Sequence, residues 1–439
     1  MAYLPQAPAD REAMLAGLGI TGIDALFADI PSQARLTHPL NLPPGLGEAE
    51  LAAVMANKAR ENRSLDDLVS FLGFGYYDRY VPYAVDALAN RGEFATAYTP
   101  YQAELSQGTL AAIFEYQTMV ASLTGMDAAQ ASLYDGASAA AEAGLLAMAH
   151  TGRRTVALAR TLHPDVRQVV TTYVRGHGGA VVTLNHPRRE GLNKAAALIW
   201  PYPDVMGSVD ELPSAIETAH AEGALAVSYC DPVALALLTP PGTLGADLAV
   251  GEGQALGNPL HYGGPGLGFF AAKSKFIRRM PGRLVGVAYD ERGHRGLVLT
   301  LQAREQHIRR EKAVSNVCSN HSLNALRAAI YLSLVGPRGL REIAQLSVQK
   351  AHYLRSQLLA IGGIAPARPG PVLYEFALQV PGVVADLNRW LFERGILGGA
   401  DLGRWDSDWA GCWQLAVTER RTREEIDRLV EEVRAWISR

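Results

Sequence analysis

The segment Ala224 to Tyr229 reads as a strand and ends at Cys230-Asp231-Pro232, and Ala246 to Val250 reads as the next strand, followed by Gly251-Glu-Gly253-Gln254. A carboxylate at a strand end can hold a pyridinium nitrogen protonated and keep the ring an electron sink, the chemistry of pyridoxal phosphate (PLP). That chemistry also needs a lysine amine, placed after the following strand, to form a Schiff base. The residue in that place is Gln254, whose amide cannot form one. The frame of a cofactor site is present and its reactive group is missing. Lysine is rare throughout: only Lys58, Lys194, Lys273, Lys275, Lys312 and Lys350 exist. Lys273, which follows Gly268-Phe-Phe-Ala-Ala272, and Lys275 are the alternative Schiff-base candidates; at the exit of a strand an ordinary surface lysine is the simpler expectation.

The elements around these residues alternate. Strands are predicted at Ala131–Leu133, Thr155–Ala159, Ala180–Leu184, Ala196–Trp200, Ala224–Tyr229, Ala246–Val250 and Gly268–Ala272. Helices are predicted at Gly108–Leu123, Ser138–Ala149 and around Ile216–Glu222. Short apolar strands between helices imply an α/β fold with a mostly parallel sheet covered by helices. Residues 1–65 read as an N-terminal helical arm, with Met14, Leu15 and Leu18, then Leu51, Val54 and Met55, at helical spacing around the connector Pro31 to Pro44. A large α/β body is expected over 66–330. An apolar helix over 318–336 stops at Gly336-Pro337. A smaller C-terminal α+β unit, 331–439, is expected to hold helices at Ile343–Leu359 and Val383–Glu393 and a strand at Leu373–Val380. Its last helix opens on the capping box Thr422 and Glu425 and runs to Trp436.

Several chemistries are excluded. Gly251-Glu-Gly253-Gln-Ala-Leu256 lacks the third glycine of a dinucleotide fingerprint, and no Gly-Lys-Ser/Thr follows Gly263 to Gly268. Gly136-Ala-Ser138-Ala-Ala140 lacks the last glycine of a nucleophile elbow. His163, His177, His261, His294, His307 and His321 have no metal-ligand spacing, so no metal site is expected. With 41 basic and 44 acidic residues in 439, the net charge is −3, which gives no general reason to bind nucleic acid. Charged residues are only 19%, which fits a chain that buries surface in an oligomer. Cys230, Cys318 and Cys412 form no CxxC pair and read as reduced thiols of a cytoplasmic protein. The first residues carry Asp and Glu early and no signal-type apolar core, and no apolar run is long enough to span a membrane.

A set of segments is more specific than any one motif. These are Gly92-Glu-Phe-Ala-Thr-Ala-Tyr-Thr-Pro-Tyr-Gln102, Ser106-Gln107-Gly108 through Phe114-Glu-Tyr-Gln-Thr118, and Tyr134-Asp-Gly-Ala-Ser138. Asp247, Gly251-Glu-Gly-Gln254, Gly263-Gly-Pro265, Leu301-Gln-Ala-Arg-Glu-Gln-His307 through Lys312, and Ser315-Asn316 complete it. Through them nearly the whole chain resembles the subunit 1 family of glycine dehydrogenase (decarboxylating), the P-protein of the glycine cleavage system. The resemblance implies an aminotransferase-like PLP-dependent transferase fold (fold type I) with a seven-stranded sheet. It implies pairing with a homologous subunit 2 that carries PLP on its lysine, in a dimer of heterodimers. The pair would decarboxylate glycine, release carbon dioxide and pass the aminomethyl group to the lipoyl arm of H-protein. This chain would bind no PLP itself and would not be active alone. Its own site would be degenerate at Gln254, Asp231, Asp135 and Ser138, with Asp135 capping the helix that holds the cofactor phosphate in this fold. Tyr98, Tyr101 and Gln102 would reach the partner's pocket or make a plain interface contact. Arg304, His307 and Asn316 would orient the glycine carboxylate, receive an acidic carrier, or form a solvated basic surface. Two other readings stay open: an independent PLP-dependent decarboxylase or lyase using Lys273, and a purely structural subunit. The chain departs from the family at Phe71-Leu-Gly-Phe-Gly-Tyr-Tyr-Asp-Arg-Tyr80, where small residues at 74 and 76 and histidine at 79 are usual; this bears on packing near Asp78.

Overall fold

The computed structural model describes residues 6–95, 97–189 and 191–439. They fall into two compact units divided between Arg63 and Ser64. In the first unit, α1 (Pro8–Gly17) and α2 (Glu48–Arg60) flank an irregular connector, and neither helix buries a residue. Met14, Leu18, Leu51, Val54 and Met55 are exposed.

The second unit is built on a seven-stranded sheet. Its strands are β1 (Ala128–Ala129), β2 (Thr155–Ala159), β3 (Ala180–Leu184), β4 (Ala195–Tyr202), β5 (Leu225–Cys230), β6 (Leu248–Glu252) and β7 (Gly268–Ala272), in the order β1-β7-β6-β5-β4-β2-β3. The five strands from β6 to β3 are parallel, and β7 runs antiparallel between β1 and β6. Parallel strands covered on both faces must be apolar throughout. β4 reads Ala-Ala-Ala-Leu-Ile-Trp-Pro-Tyr, and all eight residues are buried. β3 is the outer strand and is only partly buried. Helix α3 is Tyr83–Ala89, α4 Gln107–Thr124, α5 Gly136–Thr151, α6 Pro164–Gly176 and α7 Leu212–Ala221. Alanine and glycine dominate α5, which lets it lie close on the sheet: a Cβ at Gly144 would meet Val156 at 3.5 Å.

Two expectations shift. The strand expected at Ala131–Leu133 lies at Ala128–Ala129, and Leu133 keeps only an isolated bridge to Gly268. The cause is Ser132, which adopts φ 134 and gives its N–H to the Gln130 side chain rather than to a ladder. The long helix expected from residue 318 starts at Ser322. Before it, the N–H groups of Cys318 and Ser319 are both taken by the Tyr134 hydroxyl, at 3.1 and 3.4 Å, so the chain there is anchored and not helical.

A hairpin, β8 (Leu284–Tyr289) and β9 (Arg295–Thr300), leads towards α8 (Ser322–Leu359). At the expected stop, Gly336 takes φ 60 and ψ −177 before Pro337, and a second helical segment follows directly. Beyond it come β10 (Ala365–Pro366), β11 (Glu375–Gln379), α9 (Val384–Glu393), β12 (Ala400–Asp401), β13 (Cys412–Ala416) and α10 (Arg423–Ile437). The four strands form an antiparallel sheet in the order β10-β11-β13-β12. The expected capping box is in place: Glu425 N–H donates to Thr422 Oγ1 at 3.2 Å and Thr422 N–H to Glu425 Oε2 at 2.9 Å. Among the described residues no helix is long and apolar enough to cross a membrane.

Candidate functional site

Ligands of open α/β sheets gather at the carboxyl ends of the parallel strands. There, Asp231 follows β5, Glu252 ends β6, and Gln254 stands two residues on. Asp135 faces them as the N-cap of α5. Its Oδ1 accepts the Ser138 N–H at 2.7 Å, and Ser138 Oγ donates back to the Asp135 carbonyl at 3.0 Å. The capping is reciprocal, because the Asp135 N–H also reaches Ser138 Oγ at 3.2 Å.

Glu252 closes the space above this helix start. Its Oε2 accepts the Gly136 N–H at 2.9 Å, and its Oε1 accepts those of Gln254 and Leu267 at 2.9 and 2.7 Å. The Tyr76 hydroxyl lies 3.5 Å from Oε2. Burial pushes the Glu252 carboxyl up to about 7, and the nearby Asp135 charge adds to the rise, against the pull of the three N–H donors. Burial likewise raises Tyr76, with Glu252 contributing.

Gln254 is buried and spoken for. Its Oε1 accepts the Tyr77 N–H at 3.0 Å, while Nε2 donates to the carbonyls of Asn258 at 2.7 Å and Tyr77 at 3.3 Å. The segment Phe71 to Tyr80 thus packs into the site. Phe74 N–H and Tyr77 Oη donate to the two oxygens of Glu375 at 2.6 and 2.9 Å. The Phe74 ring lies 4.0 Å from that of His163 and 4.7 Å from that of Trp405. Asp78 is held by Arg420 and Arg421, and Arg79 by Glu419 and Ser347. Asp231 accepts the N–H groups of Val233 and Ala234 at 2.8 and 3.1 Å through Oδ1.

A cavity of about 800 Å³ opens from this floor, lined among others by Tyr76, Asp135, His163, Glu252 and Trp405. A smaller one of about 60 Å³ reaches Asp231 and Glu375. Among the described residues no lysine lines either. PLP does not fit these residues: the position for its amine partner holds a fully engaged amide, and the helix start for its phosphate holds two carboxylates. Lys273 cannot substitute. β7 is antiparallel to β6 and pairs Ala272 with Leu248, so Lys273 lies at the opposite end of the sheet from Gln254. Lys275 there pairs with Asp247 at 2.9 Å.

The other sequence candidates form a separate group, only partly united. Tyr101 and His307 meet ring to ring at 5.6 Å. Arg283 Nη2 donates to Tyr101 Oη at 3.4 Å, and Glu305 lies 4.0 Å from both Arg283 and His307. Arg304 turns inward to the Met280 carbonyl, and burial lowers its pKa, so it is not a surface cation. Tyr98 is exposed at the mouth of a third cavity, about 340 Å³, with Asn320, His321 and Asn324. Gln102 leads into the turn Ala103–Leu105, and Asn316 is exposed; neither joins the Gln254 group.

A glycine run separates the two groups. On one side a Cβ at Gly266 would stand 2.6 Å from Tyr76 Oη and 2.8 Å from Glu252 Oε2. On the other its carbonyl lies 2.8 Å from His321 Nδ1 and accepts Asn324 Nδ2 at 2.9 Å. Sequence reasoning had not singled out Glu252, Glu375, Arg283 or Glu305. Glu252 stands two residues before Gln254 and Glu305 stands between Arg304 and His307, signals that were available; for Arg283 there was none.

Residues 1–433 match the family described as glycine cleavage system P-protein. The chain is 49% identical over 440 residues to the probable glycine dehydrogenase (decarboxylating) subunit 1 of Desulforamulus reducens, covering 98% of each. The chain belongs to the glycine cleavage system P-protein family. Another P-protein relative, the probable subunit 1 of Moorella thermoacetica, is 48% identical over the full length of both chains. The crystal structure of a glycine decarboxylase (P-protein) in inhibitor-bound form superposes with a TM-score of 0.91 at 42% identity, covering 99% of this chain and 100% of that one. A sphingosine-1-phosphate lyase of Burkholderia pseudomallei, with a TM-score of 0.65 at 16% identity over 93% of this chain and 94% of that one, shares the fold alone. The chain thus carries the PLP-dependent fold type I architecture, and its family is an oxidoreductase component of glycine cleavage.

Proposed function

We propose that this chain is the non-cofactor half of a heteromeric glycine dehydrogenase (decarboxylating). Subunit 2 would carry PLP on its own lysine, where the ring supplies an electron sink as glycine loses carbon dioxide. The aminomethyl group would pass to the lipoyl arm of H-protein, in the cytoplasm. This chain's part is to complete and close the partner's pocket with residues of the Tyr98, Tyr101 and His307 side, excluding water from the reacting carbon. Arg283 and Glu305 act as positioning residues, since each reaches that surface through Tyr101 or His307. Gln102 and Asn316 belong to the same exposed side of the reading.

The observation that carries it is Gln254. At the carboxyl end of β6, where the chemistry calls for an amine, the amide is tied to Tyr77 and Asn258. The test is to add PLP to the purified chain, reduce with borohydride and digest. No lysine adduct, together with glycine-dependent carbon dioxide release only after subunit 2 and H-protein are added, is expected. An adduct on any lysine of this chain overturns the reading.

A further inference from the structure

We propose that the Glu252 carboxyl group takes the anion's place at the N-terminus of α5, seated where the fold places a cofactor phosphate, so that the pocket excludes phosphate-bearing ligands independently of the missing lysine. The inference deepens the degenerate-site reading and rests on it. A helix start with free N–H groups attracts anions. Here three backbone N–H groups from three separate segments, at Gly136, Gln254 and Leu267, converge on one carboxylate and use both its oxygens. Such a nest of donors is what a phosphate requires.

The fit is steric as well as electrostatic. A Cβ at Gly136 would meet the Glu252 backbone nitrogen at 2.7 Å, and one at Gly266 would meet Glu252 Oε2 at 2.8 Å. The glycines therefore form a cradle, and the chain fills it with its own side chain. Asp135 stands beside it with its Oδ1 already committed to Ser138. At the start of α5 an arriving dianion would find the Gly136, Gln254 and Leu267 N–H groups already taken by Glu252, with Asp135 beside them. In a pair of homologous subunits, this keeps the cofactor from being held by the half that cannot use it.

Isothermal titration of the full chain with inorganic phosphate tests this, comparing the parent with Glu252→Ala and Glu252→Ser. Each variant uncovers the three N–H donors and is expected to bind phosphate about tenfold more tightly than the parent. Folding is checked by circular dichroism and by assembly with subunit 2. A folded variant with unchanged phosphate affinity overturns the proposal, as does a parent that binds phosphate as tightly as its variants. Should neither variant fold, Glu252→Gln keeps an oxygen for the donors but removes the charge; a gain of about threefold is expected, and no gain overturns the proposal. Failure of the underlying reading looks different: it would be a borohydride-fixed lysine on the parent chain.

Discussion

Gln254 and Tyr77 hold each other through two hydrogen bonds, Tyr77 N–H to Gln254 Oε1 at 3.0 Å and Gln254 Nε2 to the Tyr77 carbonyl at 3.3 Å. The side-chain amide stands in for a neighbouring strand, satisfying both backbone groups of one residue. A buried backbone group left unpaired costs about 1–3 kcal/mol, so position 254 now serves the fold.

Placing an amine at position 254 is not expected to make a cofactor site. Gln254→Lys removes the acceptor of the Tyr77 N–H, leaves the Tyr77 carbonyl with the Arg79 N–H alone and buries an ammonium, and it leaves Glu252 over the helix start. A loss of about 2–4 kcal/mol in urea unfolding is expected, with no borohydride-stable PLP adduct at position 254. Stable incorporation of PLP by this single change would show that the rest of the pocket is still competent.

Lys273 lies at the far end of β7 from the site. Lys273→Ala is expected to leave carbon dioxide release by the reconstituted pair unchanged and stability within about 0.5 kcal/mol of the parent. A loss of turnover would revive the reading of an independent enzyme that uses this lysine.

Tyr98 is 79% exposed and Tyr101 52%, so removing their hydroxyls costs the isolated chain little. In the reconstituted pair, Tyr101→Phe and Tyr98→Phe are each expected to lower kcat/KM about tenfold or more, with unfolding of the chain alone unaltered. Unchanged turnover would mean that the subunit stabilises its partner without touching the chemistry.

Stability should fall as pH rises from about 5 to 8. Burial pushes the Glu375 carboxyl up to about 7 in the folded chain, above its ordinary value of 4.5. Between those two values the native state binds more protons than the unfolded one, so stability is lost as pH climbs through the folded value. Glu142 and Glu252, also raised to about 7, and Asp204, raised to about 6, act in the same sense. Thermal unfolding across this range is expected to show a shallower slope for Glu375→Gln, which stays neutral. An identical slope would mean that Glu375 ionises normally in the folded chain.

What the sequence made legible follows from short apolar runs. Thr155–Ala159, Ala180–Leu184 and Gly268–Ala272 were read with the bounds the structure shows, because their apolar runs are set off by turn residues. Ser132 defeated the neighbouring strand because a positive φ and a side-chain partner at Gln130 leave no periodic trace. The helix expected from residue 318 begins later because the N–H groups of Cys318 and Ser319 are claimed by Tyr134, from a distant segment. Gln254 was legible as a missing amine, whereas the partners that engage it come from Tyr77 and Asn258 and needed the fold. For Arg304, composition suggested a basic surface; the side chain instead turns to Met280, a choice made by packing. The arrangement of Arg283, Glu305 and Tyr101 is wholly tertiary.

The wall at Gly266 ties the Glu252 floor to the Tyr98 side. A Cβ there would run into Tyr76 and Glu252, and its carbonyl is gripped by His321 and Asn324 on the other side. The two chambers share one thin backbone partition, so a slackened floor on the first would shift the ceiling of the second. The packing of Glu252 and Tyr76 at Gly266 then sets where its carbonyl meets His321 and Asn324 beside the Tyr98 chamber.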